Sequence, residues 1–236
     1  MKNVAEKIRS CLQKASKPTS KKELNFVERY LGTRRKFLCV KAGVRDEILH
    51  ETVKEVKKMP SAEITKLLDD LFASDTFEYV NFAGKLLTKS KEAKECGTFE
   101  KLEKWIAPTS GWAECDSICQ SLFVEKDVLE NWIEWQKTIR KFSASKNIQL
   151  RRASLVLQCK PARGSDDPKL RELAFETIDK LKHEKDVLIT KAVSWLLRSL
   201  TVKNGAEVRQ YLEVNRGSLP KIAYRETLKK IETGKK

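Results

Sequence analysis

DVLITKAVSWLLRSL, residues 186–200, sets Ile189, Ala192, Val193, Leu196, Leu197 and Leu200 at three- and four-residue steps. That is the spacing of a helix with one buried face. The motif inside it recurs. Ala192-x-x-Trp195-Leu196 is echoed by Ala153-x-x-Val156-Leu157 and Ala83-x-x-Leu86-Leu87, with Ile118-x-x-x-Leu122 in the intervening unit. Their starting positions, 83, 118, 153 and 192, are separated by 35, 35 and 39 residues. The small residue that opens three of the four lets neighbouring helices approach closely.

A helix pair of about 40 residues is the period of HEAT-type repeats. The same helical spacing runs through residues 47–59, 61–72, 77–87, 129–142, 169–181 and 205–214, while period-two alternation is nearly absent. Prolines and capping residues punctuate these runs at Pro60-Ser61, Ser74-Asp75, Pro108 to Gly111, Ser165 to Pro168 and Gly217-Ser218. The pattern predicts an all-α chain of about a dozen helices joined by short loops. The expected architecture is an α-solenoid of stacked HEAT-like repeats, with one helix of each pair lining a concave basic face. A single repeat domain is expected over residues 1–236, with N-terminal helices in 1–60 and core repeats in 74–225. At the N-terminus, Val4, Ile8 and Leu12 recur at helical spacing, which points to a structural helix and not a transit peptide.

Lys and Arg number 48 against 33 Asp and Glu, a formal net charge of +15. A field of that size draws anionic partners, nucleic acid first among them. Hydrophobic residues at 40% and charged residues at 34% fit a folded, soluble chain. No apolar run approaches the roughly 18 residues of a membrane span. Six cysteines lie scattered without a CxxC pair, which predicts reduced thiols in a cytoplasmic protein. Cys115 and Cys119 can face one another on a helix, but a metal site would need two more ligands, and the two histidines, His50 and His183, are distant in sequence. That scarcity also weighs against nucleophilic catalysis through a Ser–His or Cys–His pair. Neither GxxxxGK[ST] nor GxGxxG occurs, so no metal and no nucleotide cofactor is expected.

Four residues fall at related places in the repeats. Asp116 stands two positions before Ile118, Arg152 one before Ala153, and Trp195 three after Ala192, while Trp112 lies one helical turn from Asp116. Stacking would bring a carboxylate, two indoles and a guanidinium onto one face. Trp105, Trp132 and Trp135 are read as core residues.

The W-x-x-x-D of GWAECDSIC (111–119), the L-R-R-A of LRRASLVLQ (150–158) and the K-A-x-x-W-x-L-R of KAVSWLLR (191–198) resemble the AlkD family of DNA alkylation-repair glycosylases. The likeness extends from about Ser74 to Arg225. ERYLGTRRKFLCVKAGVRDE, residues 28–47, is similar to the family's N-terminal tyrosine and glycine–valine loop, with Cys39 and Gly43 standing where a glycine and a proline are expected.

The resemblance implies a DNA glycosylase that excises cationic N7- and N3-alkylated purines from double-stranded DNA. It works without a cofactor, as a monomer, and probes the damaged nucleotide from the backbone without flipping the base. Asp116 matches the catalytic aspartate, Trp112 and Trp195 the aromatic residues flanking the lesion, and Arg152 the phosphate-contacting arginine. Lys191, Arg198 and Tyr30 fall on further positions assigned to the DNA backbone. The expected location is cytoplasmic, on nucleoid DNA. Two other readings compete: a non-catalytic repeat protein that binds branched or bent DNA through its backbone, and a protein-interaction scaffold.

Overall fold

The computed structural model describes residues 4–235. Helices fall into two compact units, one ending at Leu122 and one beginning at Phe123. In the first, α1 (Val4–Lys14), α2 (Lys21–Leu31), α3 (Ala42–Val56), α4 (Ser61–Phe72), α5 (Phe77–Lys89), α6 (Lys91–Glu95), α7 (Phe99–Ile106) and α8 (Trp112–Cys119) follow in order. The second holds α9 (Glu125–Glu130), α10 (Trp132–Ser143), α11 (Ile148–Val156), α12 (Cys159–Gly164), α13 (Pro168–Leu181), α14 (Val187–Leu200), α15 (Gly205–Val214) and α16 (Lys221–Thr233). Among the described residues there is no strand, only an isolated bridge between Lys36 and Thr76. The all-α fold built of helical repeats is the one the periodicity predicts.

Local chemistry explains the boundaries. Asp167 and Asp186 accept hydrogen bonds from the backbone amides of Lys169 and Leu188 at the starts of α13 and α14, and Pro168 occupies the first turn of α13. Pro60 and Gly111 precede α4 and α8 as expected, but α5 begins after Thr76 and not at Ser74-Asp75. The run 129–142 is not one helix. Asn131 leaves helical geometry at φ −114°, ψ 38°, and its side-chain amide donates to the Asp127 carbonyl at 2.9 Å, ending α9 before α10 begins.

The recurring motif lies on α5 and α14 and on α8 and α11 with the turns that follow them, and its members other than Trp195 belong to the core. Ala83, Leu86, Leu87, Ile118, Leu122, Ala153, Val156, Leu157, Ala192 and Leu196 are all buried. Within the first unit α5 packs on α8, and within the second α11 packs on α14 and α14 on α16. Polar contacts repeat at the same sequence step. Asp69 accepts from Trp105 Nε1 at 2.7 Å, 36 residues on, and Arg140 grips Glu176 with two bonds of 2.9 Å, again 36 residues on. Arg151 grips Glu184 at 2.7 and 3.0 Å, and Tyr211 donates to Asp179 at 2.7 Å. Burial alone would raise the Asp69 carboxyl, yet the hydrogen bonds of Lys104, Trp105 and Lys101 outweigh it and hold the group below the ordinary carboxylate range.

All six cysteines are free thiols, four of them buried; Cys11 and Cys39 are partly exposed. Trp105 and Trp135 are core residues, as predicted. Trp132, at the first position of α10, is only half-buried, because the break at Asn131 turns it away from the interior.

Gly84 on α5 marks a close approach between α5 and α8. A Cβ there would lie 2.6 Å from Ser117 Oγ and 2.9 Å from Ser117 Cβ on α8, and the Gly84 carbonyl accepts from Ser121 Oγ at 2.9 Å. Ser117 cannot retreat freely, since its hydroxyl is held by the Glu114 carbonyl at 2.8 Å. Gly84→Ala gains about 1 kcal/mol of helix propensity and costs about 1–3 kcal/mol of overpacking. We expect a lower denaturant midpoint in equilibrium unfolding; an unchanged or higher midpoint would show that α5 and α8 can separate at no cost.

Candidate active site and nucleic-acid interface

The first unit carries Tyr30, Trp112 and Asp116, brought together by two glycines and a buried ion pair. α2 ends at Gly32, whose φ of +70° is left-handed and whose amide donates to the Glu28 carbonyl at 2.8 Å. Gly111, just before α8, packs against this turn so closely that a Cβ would lie 2.3 Å from the Leu31 carbonyl oxygen and 2.7 Å from the Gly32 carbonyl carbon. Only glycine permits that approach.

Glu114 then fastens the two segments. Its side chain is 0% exposed and accepts from Arg35 Nε at 2.8 Å, from the Ser110 backbone amide at 3.1 Å and from the Thr33 hydroxyl. Arg35 also donates through Nη2 to the Pro108 carbonyl at 2.7 Å and through Nη1 to the Ser74 carbonyl. One guanidinium therefore joins the loops after α2, α4 and α7. The bridge at Lys36 adds two backbone bonds of 2.9 Å, to the Asp75 carbonyl and from the Phe77 amide.

With the loop fixed, the Trp112 indole Nε1–H donates to the Tyr30 carbonyl at 2.6 Å, and the Tyr30 ring meets the indole edge-on, centroids 5.6 Å apart at 89°. Glu114, Cys115, Ile118 and Cys119 turn into the core. Trp112 and Asp116, one turn apart, share the half-buried opposite side of α8. Cys115 and Cys119 stand 3.9 Å apart, sulfur to sulfur, on the core side. No cluster of three or more His, Cys, Asp or Glu suited to a metal occurs among the described residues.

The second unit carries Arg152, Lys191, Trp195 and Arg198. Arg152, on α11, is 4% exposed and donates through Nη1 to the Leu188 carbonyl in the first turn of α14. Trp195 is half-buried on α14, and Lys191, one turn before it, reaches solvent. Arg198 is held within the fold, donating through Nε to the Ser194 carbonyl at 3.2 Å and lying 3.3 Å from Glu226 through Nη2. Glu226 also accepts from Ser194 Oγ at 2.6 Å.

Glu114, Arg35, Thr33 and Ser110 were not among the residues the sequence singled out. The bonds that join residues 33–35 to Ser110 and Glu114 span 76 to 81 residues, and no local pattern announces such pairs. The one available signal was a second acid inside the Trp112-to-Asp116 motif.

The model of the DNA alkylation repair enzyme family matches residues 8–231. The chain belongs to that family. Membership assigns it a role in the repair of alkylated DNA, with DNA as its partner. Among solved structures, a predicted DNA alkylation repair enzyme from Enterococcus faecalis is similar at 17% identity, covering 91% of this chain and 97% of its own, with a TM-score of 0.73. At that identity the likeness establishes the shared fold. An engineered protein at 13% identity covers 82% of this chain and 94% of its own, with a TM-score of 0.40. No curated protein matches. No described helix of this family member is long and apolar enough to cross a membrane.

Removing one partner from a buried ion pair leaves the other charged and desolvated, at a cost of about 3–5 kcal/mol. Glu114→Ala should therefore lower the unfolding free energy by that order, and Glu114→Gln, which keeps hydrogen-bond acceptance, by less. Chemical denaturation followed by Trp fluorescence measures both, and equal stability of Glu114→Ala and the parent protein would remove the clamp.

Proposed function

We propose that this protein is a monofunctional DNA glycosylase that hydrolyses the N-glycosidic bond of cationic N7- and N3-alkylated purines, such as 7-methylguanine and 3-methyladenine, in duplex DNA. The observation that carries the reading is the pairing on α8: a half-buried carboxylate, Asp116, one turn from a half-buried indole, Trp112, on a helix whose other side is locked into the core. The net charge of +15 supports a polyanionic substrate.

An alkylated purine already bears positive charge. When the C1′–N bond breaks, its electron pair moves to the base, which departs neutral and needs no proton from a general acid. Positive charge passes to the deoxyribose as an oxocarbenium-like species. Asp116 opposes that charge and orients water, whose oxygen attacks C1′ and whose proton passes to bulk solvent. The Trp112 indole, with its N–H engaged by Tyr30, offers a ring face to cationic sugar and base, worth about 0.5–2 kcal/mol.

In this reading Trp195 is a further ring and Arg152 a phosphate contact. Arg152 donates through Nη1 to the Leu188 carbonyl. That bond immobilises the group before DNA arrives, which lowers the entropy cost of gripping an anion. Lys191 is the exposed cation of α14 and meets the backbone directly. Arg198, shared with Glu226, contributes positive potential more than a contact.

Chromatography of bases freed from methylated duplex DNA tests the proposal. We expect release of 7-methylguanine and 3-methyladenine, and a drop of about 10²–10³-fold in single-turnover rate for Asp116→Asn with DNA affinity nearly intact. Retained DNA binding with no base released at enzyme excess would leave the non-catalytic DNA-binding reading in its place. Arg152→Ala should weaken DNA binding and lower the salt-dependence slope by about one. An unchanged slope in a folded variant would confine Arg152 to its contacts within the fold.

A further inference from the structure

Lys191, Trp195 and Arg198 follow one another at four- and three-residue steps, so they form one stripe along α14. α14 itself contains no acid. The carboxylate that meets this stripe comes from α16, which packs on α14: Glu226 Oε2 lies 3.3 Å from Arg198 Nη2. Glu226 is the one acid in residues 221–230, a stretch that also holds Lys221, Arg225, Lys229 and Lys230. A single carboxylate in so basic a segment, set against the one arginine of the α14 stripe, calls for a reason.

The pair is loose where comparable pairs are tight. Arg140 with Glu176, and Arg151 with Glu184, are each closed by two bonds of 2.7 to 3.0 Å. Arg198 and Glu226 stand outside the range of about 2.7–2.9 Å that marks a strong charge-assisted bond. The short bond of Glu226 is to a neutral group instead, the Ser194 hydroxyl, which donates to it at 2.6 Å. Ser194 is buried on α14, and its carbonyl and hydroxyl oxygens lie 3.2 and 3.3 Å from Arg198 Nε. One serine thus holds the carboxylate in front of the guanidinium. The acid is also the outer member: the Glu226 side chain is 37% exposed and that of Arg198 14%. Glu226 can turn out into water at small cost, and doing so uncovers the arginine. A carboxylate and a phosphate offer a guanidinium the same paired oxygens.

We propose that Glu226 is an internal stand-in for a DNA phosphate, occupying Arg198 in the free protein and displaced by a duplex that docks along the Lys191–Trp195–Arg198 stripe. While Glu226 is seated, Arg198 supplies potential and not a contact. A polyanion that brushes past gains little from a cation already neutralised, whereas a phosphate delivered by neighbouring contacts takes the place of the carboxylate. The acid therefore lowers affinity in general and separates docked duplex from casual encounter. The inference rests on DNA as the partner and on the assignment of Arg198 to the DNA backbone, and not on the chemistry at Asp116.

Equilibrium binding of a fluorescein-labelled undamaged duplex to Glu226→Gln, Arg198→Ala and the double variant tests this, with thermal unfolding of each and base release from methylated duplex by the parent protein. Glutamine keeps an acceptor for Ser194 and loses the charge, so Glu226→Gln should bind about fivefold more tightly, the scale of one partly exposed ion pair. The gain should vanish without Arg198, the double variant binding as Arg198→Ala does. An acid that merely held α14 in place would lose affinity and melting temperature instead, and unchanged or weaker binding by Glu226→Gln overturns the proposal. So does a gain that persists in the Arg198→Ala background, which would reduce Glu226 to general repulsion of DNA. Should Glu226→Gln melt lower than the parent, Glu226→Asp, which withdraws the charge from Arg198, carries the same test with a smaller gain. Tighter binding by Glu226→Gln with no base released by the parent leaves the stand-in in place and removes the glycosylase reading; base release without the gain does the reverse.

Discussion

The contact between the Arg35 guanidinium and the Glu114 carboxylate is the constraint on which the first unit's functional geometry depends. Two charges withdrawn from water are costly, and such a pair seldom adds net stability over a well-packed apolar substitute. What it supplies is register. Arg35 spans to the Ser74 and Pro108 carbonyls as well as to Glu114, so any slide of the loop after α2 breaks several charge-assisted bonds together. An apolar cluster would tolerate such a slide; a planar fork of donors facing three fixed acceptors does not. Gly32 and Gly111 make the clamp possible, because their missing side chains let the loop and the start of α8 come within bonding reach.

The same device recurs, weakened, along the repeats. Arg140 to Glu176 and Arg151 to Glu184 bind side chains 33 to 36 positions apart, the period at which the apolar motif returns. These pairs are partly exposed, and each contributes at most about 1 kcal/mol. Their effect is directional: the apolar ridges of one helix fit several grooves of the next, and a bidentate Arg–Glu pair selects one. Where the carboxylate is more buried, as with Asp69, the Trp105 indole N–H adds a directed bond to the charges of Lys101 and Lys104. Tyr211 shows the neutral version: its ring stacks on Phe175 at 4.2 Å, while burial and the Asp179 carboxylate raise its phenol well above the ordinary range.

Helix content, the repeat step and the α8 pairing were legible because each rests on local spacing. Ile118 and Leu122 had to share a face with each other, and so did Trp112 and Asp116, whatever the tertiary context. Asn131 was not legible as a break, since a single polar residue within an apolar-periodic run reads as one more exposed position. The state of Arg152 was also hidden: an arginine beside another in LRRA gives no sign that Arg151 pairs with a carboxylate while Arg152 is drawn under a backbone carbonyl. Glu114 was in plain view within GWAECDSIC, yet its partner in TRRK had no sequence relation to it. Contacts of high sequence separation are set by how loops meet, and loops meet where helix lengths and crossing angles put them.

On the proposed reading, what α8 supplies is position. It is eight residues long, and four of them, Glu114, Cys115, Ile118 and Cys119, are committed to the core or the clamp. The remainder can project only where those four allow, so the short Asp116 side chain has little freedom left to lose. A general acid must hold a proton at neutral pH, which requires burial or a neighbouring like charge to raise its pKa. A carboxylate that only opposes developing positive charge needs neither; it needs to be ionised and in place before the bond begins to break. A half-buried aspartate on a clamped helix is held in position before any ligand arrives. On the proposed reading the corollary is selectivity by leaving group: a site that donated no proton would favour bases that already carry the charge, and the chemistry of the lesion would do what a recognition pocket otherwise has to do.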